Sequence, residues 1–191
     1  TTFTIGTDAN CSTGVIWPIP VATDNCGTVT VEETTSGGDL FGTQLNPGTY
    51  NIQYTATDAA NNTSTCNFTV KIVDDDTPYL VCQPDAIVNA NTGTCTYTSV
   101  AGEFNPLLSV DNCPSQILTY AITGATIKSG DGNVPITIFN AGTSTITYTL
   151  SDTTHNTISC SFTVTVIDEE APVLACPSAL VTYTDADQCN Y

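Results

Sequence analysis

Apolar and polar positions alternate with a period of two along several stretches of the chain. Cys66, Phe68, Val70 and Ile72 fall on one side, with Asn67, Thr69 and Lys71 between them. Cys160, Phe162, Val164 and Val166 repeat the pattern. Period two is the mark of a strand with one buried face. Tyr50, Ile52, Tyr54 and Ala56, and again Ile146, Tyr148 and Leu150, alternate with Asn, Gln and Thr just upstream. Short polar loops at 58–63 and 152–157 join each pair, which predicts two closing hairpins. No window shows a convincing 3.6-residue period, so helix content is expected near zero.

The two hairpins are copies. TATDAANNTSTCNFTVKIVDDDTP at Thr55 to Pro78 aligns without a gap to TLSDTTHNTISCSFTVTVIDEEAP at Thr149 to Pro172, an offset of 94. Cys11, Cys95 and Cys189 also align, as do Asp24-Asn25-Cys26 with Asp111-Asn112-Cys113, and Cys82 with Cys176. The offsets of 84, 87 and 94 place two insertions in the second copy, where loops of a sandwich tolerate growth. The expected organisation is a first module at 1–75 lacking its opening strand, a complete module at 76–169, and the opening strands of a third at 170–191. Short strands in units of this length predict an all-β fold of tandem immunoglobulin-like Greek-key β-sandwiches.

Composition narrows the partners. Nineteen acidic residues face only Lys71 and Lys128, a net charge of −17, which argues against nucleic acid and makes cations the natural counterpart. Nine Cys in 191 residues suit an oxidising compartment and an exported protein. No apolar run reaches the roughly 20 residues needed to span a bilayer, so direct membrane insertion is not expected.

The Cys176-Pro177 pair, the Asp-Asn-Cys triplets and the closing YTATDAANNTSTCNFTVKIVDD segment resemble the HYR (hyalin repeat) modules of extracellular proteins. The resemblance implies immunoglobulin-like modules of adhesive proteins. Long arrays of this kind look like the giant surface adhesins of gliding Bacteroidetes. The second copy departs from the family pattern, with SDTTHN for the usual ATDAAGN.

In such a sandwich the loop between the second and third strands and the loop between the last two share the N-terminal pole. Asp111, Asn112 and Asp152 would then meet the linker acids Asp74, Asp75 and Asp76, an oxygen-rich set suited to Ca2+. The opposing reading is solvated linker charge and Asx turns. A second acidic run, Asp168-Glu169-Glu170, marks the next junction. The cysteines lack any CxxC and the chain has one His, so disulfides fit better than zinc. First and last strands lie side by side, which suggests Cys82–Cys160. Cys95–Cys113 and Cys11–Cys26 then follow as expectations, although four Cys allow three pairings.

Several other features are read conservatively. His155 beside Ser151 and Asp152 has no counterpart in the first copy and no nucleophile elbow, so no enzyme is expected. Trp17 reads as core. Sequons stand at Asn10, Asn61, Asn62 and Asn67, and Asp152-Thr153-Thr154 resembles a Bacteroidetes O-glycosylation motif. Rows of outward Thr reflect β-propensity rather than an ice-binding face. The expected function is a structural stalk of a cell-surface adhesin, its partners the neighbouring modules. Glycans or other surface proteins would be the partners of an alternative ligand-binding module, and an accessory module of a secreted enzyme is a further alternative.

Overall fold

The computed structural model describes residues 1–152, 154–176 and 186–187, so the expected third-module opening lies largely outside the described residues, as does Thr153. Among the described residues every regular element is a strand. Six strands form a first sandwich: β1 (Thr2–Gly6), β2 (Thr13–Gly14), β3 (Thr30–Glu33), β4 (Gln44–Leu45), β5 (Gly48–Thr57) and β6 (Thr63–Val73). Nine form a second: β7 (Tyr79–Val81), β8 (Ala86–Asn89), β9 (Thr96–Thr98), β10 (Leu108–Val110), β11 (Ile117–Gly124), β12 (Lys128–Asp131), β13 (Ile138–Asn140), β14 (Gly142–Ser151) and β15 (Thr157–Ile167).

The main sheet of the second sandwich runs β12-β11-β14-β15-β8, and opposite it lie the ladders β10-β7 and β13-β9. The first sandwich repeats this plan as β1-β6-β5-β3 with β2-β4. The long hairpins β5-β6 and β14-β15 keep the 94-residue offset, with Tyr54 opposite Cys66 and Tyr148 opposite Cys160. The edge strands add a detail that the cysteine alignment hides. Gly6 pairs with Val73 and Asn89 with Ile167, so the offset is 83 in these strands and reaches 84 only in the loop that follows.

Alternation decides the interior. Ile146, Tyr148 and Leu150 of β14 and Phe162, Val164 and Val166 of β15 point inward onto Phe104, Phe139 and Ile122. Each such side chain contributes roughly 1.5 to 3 kcal/mol by leaving water. The Tyr148 hydroxyl, fully enclosed, donates to the Phe104 carbonyl (2.9 Å) and accepts from the Val134 N–H (3.0 Å). In the first core Trp17 packs edge-on against Phe41 and Phe68, and its Nε1 donates to the Tyr54 hydroxyl at 2.9 Å. Trp17 therefore fills the core, as its sequence context suggests.

The two cores differ at one end. Phe162 is buried and Cys160 half-buried, whereas Phe68 is half-buried and Cys66 exposed. The second sandwich covers this end with β7, whose Leu80 joins the core. Among the described residues the first sandwich has no equivalent of β7.

Candidate metal site at the junction of the two sandwiches

The linker leaves β6 after Val73 and enters the second sandwich through the buried Pro78. Asp74, its first residue, is 4% exposed. Two loops of the second sandwich close over it. The β10–β11 loop brings Asp111 and Asn112, and the β14–β15 loop brings Asp152. One carboxylate oxygen from each of Asp74, Asp111 and Asp152 lies within 4.8 Å of the others.

The oxygens are unequally satisfied. Asp152 anchors an Asx turn: Oδ1 accepts from the N–H groups of Thr154 (2.9 Å) and Asn156 (2.8 Å), and Oδ2 from the Thr154 hydroxyl (2.9 Å) and Asn156 Nδ2 (2.8 Å). Burial pushes its pKa up, but these bonds together outweigh it and the carboxyl titrates below its ordinary value. Asp74 Oδ1 receives only long bonds, from the Asp76 N–H (3.3 Å) and the Thr7 hydroxyl (3.5 Å). Its Oδ2 is buried without a partner, as are Asp111 Oδ1 and Asn112 Oδ1. Desolvation, chiefly, raises the Asp74 pKa, and the charges of Asp111, Asp152 and Asp76 add to the shift.

Three unpartnered buried oxygens beside a cluster of carboxylates are costly unless a cation neutralises them. Their chemistry, hard oxygen donors in a loose arrangement, fits Ca2+. The sequence-derived set divides accordingly. Asp74, Asp111, Asp152 and Asn112 converge. Asp76 is exposed and its carboxylate accepts from Asn112 Nδ2 at 2.9 Å. Asp75 is exposed and turns to Gly6, where a Cβ would overlap its carboxylate.

The junction also contains residues of the first sandwich that sequence reasoning left out. Asn112 Nδ2 donates to the Thr7 hydroxyl (3.3 Å) and the Asp8 carbonyl (3.0 Å), bonds that cross between the sandwiches. The Thr154 hydroxyl (2.8 Å) and Asn156 Nδ2 (3.2 Å) donate to the Asp74 carbonyl. The available signal was the TDAANN/SDTTHN alignment, which gives Asn62 and Asn156 the same place in the turn.

Cysteine pairing corrects two expectations. Cys82 is bonded to Cys160, joining the first and last strands of the second sandwich. Cys113, however, bonds Cys11 across the junction, so neither Cys95–Cys113 nor Cys11–Cys26 forms. Strand direction is the reason. β1 runs parallel to β6 and delivers Cys11 to the linker end of its sandwich, next to the loop that carries Cys113. Cys95 follows β8 to the opposite end of the second sandwich, where β15 finishes at Ile167. Cys26 and Cys95 are both exposed and unbonded.

Comparison with known proteins agrees with this architecture. A family model, the HYR domain, matches residues 3–72 and 111–166, once in each sandwich. The chain belongs to the HYR domain family. Among HYR-containing relatives, it is similar to Hyalin of Lytechinus variegatus, 29% identical over 174 residues, covering 89% of this chain and 30% of that protein. Hyalin of Strongylocentrotus purpuratus is 31% identical over 175 residues, 88% of this chain and 13% of that protein. The Serine-rich adhesin for platelets of Staphylococcus aureus (strain MRSA252) is 28% identical over 156 residues, 76% of this chain and 11% of that protein. The HYR chain thus spans less than a third of the length of each of these relatives. Solved structures similar to it include human mucin-like protocadherin EC1-2, with a TM-score of 0.35 and 15% identity, covering 87% of this chain and 95% of that one. Drosophila N-cadherin EC1-4 gives 0.36 and 13%, covering 87% and 48%.

Proposed function

We propose that this chain is a structural, non-enzymatic stalk segment of an exported cell-surface adhesin, its HYR modules held in series by junctions that Ca2+ stiffens. In this reading the modules divide at 75/76 and 169/170, and each module's principal partner is its neighbour in the chain. The convergence of Asp74, Asp111 and Asp152, with unpartnered buried oxygens of Asp74, Asp111 and Asn112 beside them, carries the proposal. A cation there ties the linker to two loops of the second sandwich, and Asn112 already bonds the first sandwich. The disulfides, the HYR family and the adhesin among its relatives support the adhesive and extracellular parts. Rotation between modules is opposed at three places: the Cys11–Cys113 bond, the Asn112 contacts and the ion.

Calorimetric titration of Ca2+ into the chelator-treated chain, paired with small-angle scattering, tests this. One site per junction is expected, with a narrower distribution of end-to-end length on binding. Asp74→Asn and Asp111→Asn should each abolish both effects. Unchanged scattering and no heat in the wild-type chain would overturn the Ca2+ reading.

A further inference from the structure

The cross-junction disulfide and the acidic cluster occupy one place. Cys11, Cys113 and Asp74 line the same cavity, of about 380 Å3. Asp111 is oriented by Cys113 itself: its Oδ2 accepts from the Cys113 N–H at 3.3 Å, while its Oδ1 is buried without a partner. Asn112, between them, donates from Nδ2 to the Thr7 hydroxyl and the Asp8 carbonyl, and its Oδ1 is also buried and unpartnered. The disulfide therefore fixes the residue on which the Asp111 carboxylate leans.

On its other side the bond reaches the strand ends that carry Asp74. β1 and β6 finish together, Gly6 beside Val73, and the Thr7 N–H donates to the Val73 carbonyl at 3.0 Å. A turn then holds Cys11. Its N–H donates to the Asp8 carbonyl at 3.0 Å, and Asp8 Oδ1 accepts from the N–H groups of Asn10 (2.8 Å) and Ser12 (3.3 Å). Asp74 and Cys11 thus belong to one hydrogen-bonded end of the first sandwich, and Asp111 and Cys113 to one loop of the second. A cation between Asp74 and Asp111 would cross-link the same two bodies that Cys11–Cys113 already joins.

We infer that Cys11 and Cys113 are positioning residues of the junction cation site, so that their disulfide tightens Ca2+ binding and bound Ca2+ protects the disulfide from reduction. The coupling presupposes the Ca2+ reading above and adds a control on it. Two cross-links between the same bodies share one entropic cost, which falls on whichever forms first. Charge gives the same sign. Without an ion the disulfide holds Asp74 against the carboxylates of Asp111 and Asp152, and a divalent cation removes that repulsion. Linkage makes the effect reciprocal: the factor by which the bond raises the affinity is the factor by which saturating Ca2+ shifts the thiol–disulfide equilibrium. In that equilibrium two glutathione thiols give two electrons and two protons to Cys11–Cys113, leaving two cysteine thiols and one glutathione disulfide.

Calorimetric titration of Ca2+ into the wild-type chain and Cys11→Ala, each shown to be folded by its Trp17 fluorescence transition, tests the first half. The variant should bind on the order of tenfold more weakly. Replacing Cys82 and Cys160 together by Ser, which removes a disulfide away from the junction, should leave the affinity within about twofold. The second half uses the wild-type chain alone, so it stands whether or not the variant folds. The chain is equilibrated in glutathione buffers of graded ratio with Ca2+ or chelator, its thiols are alkylated, and the peptides are quantified by mass spectrometry. Ca2+ should make Cys11–Cys113 harder to reduce by the same factor, shift Cys82–Cys160 by less than about twofold, and have no effect on either bond in Asp74→Asn. Equal Ca2+ affinity with and without Cys11, or a Cys11–Cys113 equilibrium indifferent to Ca2+, overturns the coupling while the Ca2+ site itself stands. No binding to the wild-type chain overturns both.

Discussion

The N-terminal ends of the two sandwiches are built from the same residues and have different characters. Asp58 and Asp152 sit at the same place and make the same turn, each accepting at 2.8 Å from an Asn N–H four residues on and from that Asn's side chain. Asp24 and Asp111 each accept from the N–H of the Cys two residues later. Yet Asp58 is half-exposed while Asp152 is buried, because the Asp152 loop packs against the linker residue Asp74, whose carbonyl accepts from Thr154 and Asn156. An Asx turn is therefore a local property, whereas the buried acidic cluster forms only where Asp74 and Asp111 are brought to it from elsewhere.

Removing the disulfide that staples the edge of the second sandwich should give the largest effect. Replacing Cys82 and Cys160 together by Ser is expected to lower the stability of the second sandwich by about 2 to 4 kcal/mol. The transition of the first should hardly move, as followed by Trp17 fluorescence during denaturation. A common shift of both transitions would show that the sandwiches unfold as one unit.

Next in size is the buried hydroxyl of each core. Tyr148→Phe orphans the Val134 N–H and the Phe104 carbonyl, and Tyr54→Phe orphans Trp17 Nε1. Each should cost about 1 to 3 kcal/mol. Tyr54 should be the milder of the two, since it leaves one core donor unpaired where Tyr148 leaves a donor and an acceptor. Equal losses, measured by urea denaturation, would show that the second orphaned group adds no cost.

The third contrast is pH. Burial raises the Asp74 pKa above its ordinary 3.8, so in the metal-free protein its contribution to stability is present at acid pH and is lost as the pH rises through the raised value. Ca2+ requires the ionised form, so its stabilisation should fade as the pH falls through that same value. At a hundredfold excess over Kd the ion is expected to add about 2.7 kcal/mol at neutral pH. Asp58 has its pKa lowered by the Asn62 bonds, so its smaller contribution appears above 3.8 and is lost as the pH falls further. Thermal melts with Ca2+ or chelator between pH 4 and 8 separate the two, and Asp58→Asn should leave the Ca2+ response intact.

The smallest effect concerns one turn residue. Asn61 and His155 occupy the same left-handed conformation, with φ of 67° and 76°. Asn tolerates that region and His does so at a cost. His155→Gly, the residue usual in the family pattern, should raise stability by up to about 1 kcal/mol. No gain in melting temperature would mean that the His side chain has compensating contacts.

Period two and the 94-residue match were enough to read strands, hairpins and tandem sandwich repeats, because alternation and repetition are properties of the chain alone. They also nominated Asp74, Asp111, Asn112 and Asp152, since loops between known strands have known positions. They could not choose among Asp74, Asp75 and Asp76, because adjacent linker residues point in different directions and only packing against Gly6 and Thr7 sorts them. Nor could they find Cys11–Cys113. Pairing by equivalence stays inside a module, whereas a parallel edge strand carries its cysteine to the next one. What the sequence determined by itself was which residues alternate, repeat and turn. The tertiary structure alone decided which carboxylates share one buried space and which cysteines meet across a junction, because both depend on distances between segments far apart in the chain.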